Sequence, residues 1–342
     1  MSISFKQRVS LAIQILRYGA LPTKARREIP AITDEEVAEA RFFFPMDKFF
    51  VFGHARSGTT ILARLIRLHP EVHCDYQAHF FTRPPLLESL VADEAFGKWL
   101  ARRSNRWNRG KDLSPVFLRA AADFTLEREA RRVGKQIVGD KSPSSLMDGK
   151  AVLLMHKVYP EARLIYIVRD GRDTVLSHRF QTFIDLPDHL SKEDLQIRSD
   201  FSQNPDPFLE GKRSIFTEKG IFQAAEGWVR NVGETNQLGE SLYKERYFSL
   251  RFEDLMQNPW EKLLQIWLFL GASQPDAQLQ DQLIEEMEQN RDAQWQEQKS
   301  IEIARSLQKG KQGSWKEIFT PRDQEIFHKV AGKTLETWGY SH

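Results

Sequence analysis

Cationic and hydroxylic side chains gather in a few short stretches of this 342-residue chain, and each stretch suits an anionic ligand. The first is Arg56-Ser57-Gly58-Thr59-Thr60, which follows the apolar run Phe49-Phe50-Val51-Phe52-Gly53 and precedes Ile61, Leu62, Leu65, Ile66 and Leu68 at helical spacing. Such a pattern predicts a buried strand, a glycine-bounded turn and a helix, whose backbone N–H groups and N-terminus converge on one anion. Gly53 and Gly58 permit the tight turn, and Ser57 is placed to cap the helix. The Gly53-to-Gly58 spacing meets the first half of the phosphate-loop pattern G-x-x-x-x-G-K-[ST], but Thr59 stands where that pattern needs lysine. The loop's fixed cation is Arg56 instead.

Three further stretches supply partners. Gln136-Ile137-Val138-Gly139 reads as a short strand that delivers Lys141 to the loop at its carboxyl end, where ligands of open α/β sheets collect. Arg163-Leu164-Ile165-Tyr166-Ile167-Val168 is the clearest buried strand, and it delivers Arg169 at its tip with Ser177 two helical turns along, an arginine and a hydroxyl suited to a second anion. The segment Gln308 to Lys316, with Lys309, Gly310, Lys311 and Gly313, is cationic and glycine-punctuated, able to fold over an anionic ligand. An aspartate ending a strand would suggest magnesium. Here Arg169 takes that place and Asp170 reads as a helix cap, so no metal is expected.

The elements that must position these groups read as α/β. The expected fold is a P-loop-like three-layer arrangement, a central parallel sheet flanked by helices, with helical additions. The short strand at Glu71–Cys74 brings Asp75, Tyr76, Gln77 and His79 near the first loop, and Tyr247–Phe252 forms a last strand. Residues 86–132 read as helical, with Trp99, Leu100, Trp107, Phe117, Leu118 and Phe124 as expected core. Residues 183–219, rich in Pro, Asp, Ser and Lys, lack periodicity and are expected to form a mobile lid over an acceptor site. Residues 1–30 carry an amphipathic basic helix, suited to docking on its own domain or to lying on an anionic membrane.

Composition narrows the function classes. Lys and Arg number 49 against 47 Asp and Glu, so a net charge of +2 gives no ground for a nucleic-acid partner. The single cysteine, Cys74, allows no intramolecular disulfide, and no run of about 18 apolar residues occurs. A cytoplasmic protein, with its first helix suited to peripheral membrane contact, is the expectation from these features.

Taken together the stretches resemble the sulfotransferases that use 3′-phosphoadenosine 5′-phosphosulfate. The Arg56–Thr60 loop looks like their 5′-phosphosulfate motif, in the arginine version of tyrosylprotein and carbohydrate enzymes. Arg169 and Ser177 look like their 3′-phosphate motif, and Lys309-Gly310 through Lys316 is similar to the loop that closes over that phosphate. Arg251-Phe252-Glu253-Asp254-Leu255 resembles a further signature, usually written with tyrosine at the place of Phe252. The resemblance covers about 48–320, leaving 1–47 as a helical extension, 183–219 as a lid or acceptor insertion and 321–342 as a C-terminal helix. It implies sulfuryl transfer to a hydroxyl of a small molecule, glycan or lipid. Arg56 and Lys141 would be catalytic, and Arg56, Ser57, Gly58, Thr59, Thr60, Arg169, Ser177, Lys309 and Gly310 would bind the donor. Two departures fall on the general base. Pro143 stands where cytosolic members have histidine, and Asp75-Tyr76-Gln77 replaces the neighbourhood of the tyrosylprotein glutamate, so Asp75 and His79 are the candidates. The rival readings are a nucleotide-dependent kinase and a non-catalytic nucleotide-binding module. Periodicity selects neither the acceptor nor the oligomeric state.

Overall fold

Phe49 to Phe52 are apolar at every position, without alternation, which is what a strand covered on both faces requires. In the computed structural model they lie in β1 (Asp47–Gly53), the central strand of a five-stranded sheet. The structure describes residues 9, 12, 13, 28–82, 89–91, 93–102, 104, 106–144, 149–289 and 312–340. The other strands are β2 (Val72–Tyr76), β3 (Ile137–Lys141), β4 (Arg163–Val168) and β5 (Tyr247–Arg251). All pair parallel, in the order β2-β3-β1-β4-β5.

The described helices are α1 (Asp34–Phe43), α2 (Thr59–Ile66), α3 (Glu94–Ala101), α4 (Ser114–Arg132), α5 (Lys150–Val158), α6 (Gly171–Asp185), α7 (Lys192–Gln203) and α8 (Asp206–Leu209). They continue with α9 (Glu218–Tyr243), α10 (Phe252–Gln257), α11 (Pro259–Leu270), α12 (Gln278–Glu288), α13 (Trp315–Ile318) and α14 (Pro321–Thr337). Strand alternation divides the core in two. Phe50, Phe52, Leu164, Tyr166 and Val168 face Leu118 and Ala122 of α4, Met155 of α5, Trp228 of α9 and Phe327 of α14. Phe49, Val51, Ile165 and Ile167 face Leu62 and Leu65 of α2, Trp267 of α11 and Leu283 of α12. This is the three-layer α/β arrangement expected from the sequence.

The chain leaves β1 toward β2 at one side of the sheet and leaves β4 toward β5 at the other. The loops after β1 and β4 therefore part at the strands' carboxyl ends and open a crevice between them, the switch point where ligands bind in open α/β sheets.

Two expectations change, and a third falls mostly outside the described residues. Residues 183–219 are not patternless: they hold the end of α6, then α7, capped by Ser191, and α8. Phe201, Phe208, Ile215 and Phe216 anchor them in the core with Ile197 half-buried beside them, while Leu195 is exposed and most other α7 side chains are polar, so the helix carries only a short apolar pattern. In residues 86–132, Leu100 and Leu118 are core, but Trp99, Trp107, Phe117 and Phe124 are exposed. The basic helix of residues 1–30 lies mostly outside the described residues, and no described helix is long and apolar enough to cross a membrane.

Candidate active site

The turn after β1 closes with the Ser57 amide donating to the His54 carbonyl at 3.1 Å. Two consecutive bends need the left-handed region: Arg56 at φ 76° and Gly58 at φ 88°. Gly58 is itself the N-cap of α2, with no side-chain cap bond. The expectation that Ser57 caps the helix therefore fails, because it stands one residue too early for its oxygen to meet the amides of the first turn. Its hydroxyl is instead buried without a hydrogen-bond partner, a rare condition that suits an oxygen acceptor brought in by a ligand. Thr59 and Thr60 are the first two residues of α2. A Cβ on Gly53 would stand 2.8 Å from the Ile167 carbonyl oxygen, so glycine here lets the β1 and β4 ends approach.

The second arm meets the first. Arg56 Nε donates to Ser177 Oγ on α6 at 3.1 Å, and Arg169 Nη1 donates to the Arg56 carbonyl at 3.4 Å. The Phe252 ring, at the junction of β5 and α10, lies against Gly58 on one side and 4.9 Å beneath the Arg169 guanidinium. Next to it, the Glu253 carboxylate accepts from the Asp170 amide at 3.1 Å and from the Tyr340 hydroxyl at 2.8 Å, fixing the turn into α6. Asp170 caps α6 by accepting from the Arg172 amide, as expected.

Lys141 ends β3 with 1% of its surface exposed, and its Nζ donates to Thr60 Oγ1 at 3.0 Å. The ammonium is thus held under the N-terminus of α2, 5.2 Å from the Tyr76 ring centroid. Tyr76 also lies under Arg67, 5.1 Å from its guanidinium carbon, so a phenol stands between two cations. The sequence reading brought Tyr76 near the first loop but gave it no role; it is the last residue of β2.

The two base candidates belong to a separate set of bonds. Asp75 Oδ1 accepts from His73 Nε2 at 2.9 Å, two residues back on the same face of β2, and Asp75 Oδ2 is buried without a hydrogen-bond partner. The His79 amide donates to Ser142 Oγ at 2.8 Å, and its ring pairs with the Thr82 hydroxyl at 2.8 Å. Gln77 and His79 both have positive φ, at 58° and 51°. What holds this bent segment is Asp140, which the sequence reading missed although it precedes Lys141 in β3. Its carboxylate accepts from the Ala78 amide at 3.0 Å and from the Ser142 hydroxyl. Burial pushes the Asp140 carboxyl up to about 6, with the Asp75 charge adding to the rise and the Ser142 and Ala78 bonds opposing it.

Lys309 and Gly310 lie outside the described residues. The described residues that follow them are tied to α6 by Asp173, whose carboxylate accepts from the Gly313 amide at 2.7 Å and the Trp315 amide at 3.1 Å. Asp173 also stands 3.9 Å from Arg169, and Arg172 stacks 3.8 Å above the Trp315 ring. Burial raises the Asp173 carboxyl above its ordinary range, against the lowering pull of Arg169 and the two amides. Among the described residues no cluster of three or more His, Cys, Asp or Glu is placed to hold a metal ion.

This crevice, lined by cations at a strand-turn-helix and closed by a second strand-helix turn, defines an anion-binding α/β protein. A model of the sulfotransferase family matches residues 48–276, and the chain belongs to that family. It is 24% identical over 254 residues to a protein-tyrosine sulfotransferase of Drosophila melanogaster, covering 72% of this chain and 42% of that protein. It is 26% identical over 175 residues to protein-tyrosine sulfotransferase 2 of Gallus gallus, covering 49% and 45%. The chain thus spans less than half the length of these curated relatives. A mouse sulfotransferase complexed with PAP superimposes with a TM-score of 0.47 at 18% identity, covering 91% of this chain and 95% of that one.

Proposed function

We propose that the chain transfers a sulfuryl group from 3′-phosphoadenosine 5′-phosphosulfate to an acceptor hydroxyl. The observation that carries this reading is the 3.1 Å bond from Arg56 to Ser177, which joins the β1 loop and the α6 arm in one crevice. A donor with phosphates at two ends needs two anion-binding arms side by side, and a single-phosphate ligand does not. The unpartnered Ser57 hydroxyl and the buried Lys141 fit the same donor.

When bound, the donor supplies the sulfuryl group and a phosphate leaving group. Sulfuryl transfer resembles phosphoryl transfer in its loose transition state, with charge gathering on peripheral oxygens, so fixed cations and N–H groups matter more than covalent chemistry. Arg56 and Lys141 stabilise that charge, and the residues from Ser57 to Thr60 hold the 5′-phosphate. Arg169 and Ser177, with Lys309 and Gly310, hold the 3′-phosphate. Asp75 or His79 accepts the hydroxyl proton. The acceptor is a small molecule, glycan or lipid, and the tyrosine for which the relatives are named adds a phenol to that range. Residues 48–320 form the catalytic unit, with 183–219 as its acceptor-side insertion, 1–47 as an extension and 321–342 as the C-terminal helix. The single buried thiol of Cys74 goes with a cytoplasmic setting.

The test pairs binding with transfer. 3′-Phosphoadenosine 5′-phosphate at a hundred times its Kd should stabilise the protein by about 2.7 kcal/mol, Mg·ATP should not, and labelled sulfate should move from the donor to members of a hydroxyl panel. Stabilisation by Mg·ATP alone would establish the kinase reading, and tight donor binding without transfer to any hydroxyl would establish a binding module.

A further inference from the structure

We infer that the surface formed by α3, the loop to α4 and the start of α4 docks on an anionic lipid bilayer. Large aromatic side chains lie in the open here. Trp99 and Trp107 stack with centroids 4.4 Å apart, yet they are 49% and 50% exposed. Phe96 stacks on Trp99 at 5.7 Å and meets Phe117 edge-on at 5.1 Å, which extends the apolar surface onto α4. Contiguous exposed aromatic surface is costly in water and marks an interaction site.

Charge identifies the occupant. From Lys98 to Lys111 the chain carries six Lys and Arg and no Asp or Glu, although the whole molecule is near neutral. Arg102, Arg106 and Arg109 are exposed beside the stacked rings. Lys98 pairs with Glu94 on its own helix and Lys111 with Glu35 of α1, so the arginines carry most of the unbalanced charge. Indoles flanked by arginines match the boundary of a bilayer, where the ring sits among headgroups and the guanidinium meets lipid phosphate. Single-stranded nucleic acid also pairs cations with aromatics, but it needs open ring faces for its bases. Here both Phe96 and Trp107 stack on Trp99, which leaves less of its ring face to a base.

The placement has a consequence for the catalytic crevice. The α4 helix ends four residues before β3 begins and packs along it, so it runs antiparallel to the strands. Its first turn, and the aromatic surface with it, therefore lies at the carboxyl end of the sheet, where the Arg56 and Arg169 loops open. A protein docked this way holds its crevice at the membrane surface. The docking itself does not depend on which group the crevice transfers.

Sedimentation of the full chain with vesicles tests this. Wild type should pellet with phosphatidylcholine–phosphatidylglycerol vesicles and stay in the supernatant with phosphatidylcholine alone, and added salt should release it. Brominated lipid should quench its tryptophan emission. Trp99→Ala with Trp107→Ala, and separately Arg106→Glu with Arg109→Glu, should each weaken binding by at least about tenfold with melting temperature unchanged. If either pair fails to fold, quenching of the wild type decides alone. Wild type that ignores anionic vesicles, binds neutral ones equally or is retained only by nucleic acid or another protein would overturn the inference.

Discussion

Arg56 Nε lies 3.1 Å from Ser177 Oγ on α6. One arginine of the first anion loop thus touches a hydroxyl of the second. If both grip one donor, their contributions to its binding are coupled. Arg56→Ala should lower turnover by roughly a hundredfold or more, the scale for losing a preorganised oxyanion donor. Ser177→Ala should weaken 3′-phosphoadenosine 5′-phosphate binding by about tenfold, as for loss of a hydrogen bond to a charged partner. The double variant, measured by calorimetry, should show a coupling energy of about 1 kcal/mol. Strict additivity would mean that the two side chains serve different ligands.

Asp173 ties the first turn of α6 to the segment that leads into α13. Asp173→Ala leaves the Gly313 and Trp315 amides without their acceptor and takes a carboxylate from beside Arg169. The stability loss should be about 2–3 kcal/mol, since buried donors are left unpaired. Asp173 is a positioning residue, so donor KM should rise more than kcat falls, and Asp173→Asn, which keeps one acceptor oxygen, should recover part of the loss. An unchanged KM in a destabilised variant would reduce Asp173 to a purely structural brace.

Gly58 and Phe252 test the wedge between the loops. A Cβ at position 58 would stand 2.3 Å from Phe252 Cδ2, at a φ of 88° that alanine resists. Gly58→Ala should therefore cost about 3 kcal/mol, from overpacking and left-handed strain together. Adding Phe252→Leu should relieve the overpacking and leave the strain, restoring part of the melting temperature. A Gly58→Ala protein as stable as wild type would show that the ring is not a fixed wall.

Much of this was legible before any coordinates. Runs such as Phe49–Phe52 and Arg163–Val168 announce buried parallel strands because both faces are covered, and Ser177 follows the strand-tip Arg169 by eight residues, about two turns along the helix that the tip feeds. What escaped was tertiary. Trp99 and Trp107 look like core in a linear reading, and only the packing of α3 shows that Leu100 takes the buried side while the indoles face out. The α7 helix hides because it buries Phe201 and little else. Asp140 and Asp173 were missed because the amides they fix at Ala78 and Gly313 lie 62 and 140 residues away.

Asp140 makes the acceptor-side loop sensitive to pH. Its carboxyl titrates near 6 in the folded protein, against an ordinary value of 3.8. Between those values the native state holds more protons than the unfolded chain, so stability falls as pH rises through the window. The rise from 3.8 to about 6 corresponds to at most about 3 kcal/mol, fully present below pH 4 and gone above pH 6. Asp140→Asn keeps an acceptor for the Ala78 amide and removes the buried charge. It should flatten this dependence and raise stability at pH 7 relative to wild type, as read by urea denaturation at pH 4.5 and pH 7. Activity should respond separately, because the ionised carboxylate accepts from Ala78 and Ser142 and so shapes the turn that carries His79. Wild type that gains stability over the variant as pH rises from 4 to 6 would reverse the sign and show that Asp140 is held ionised.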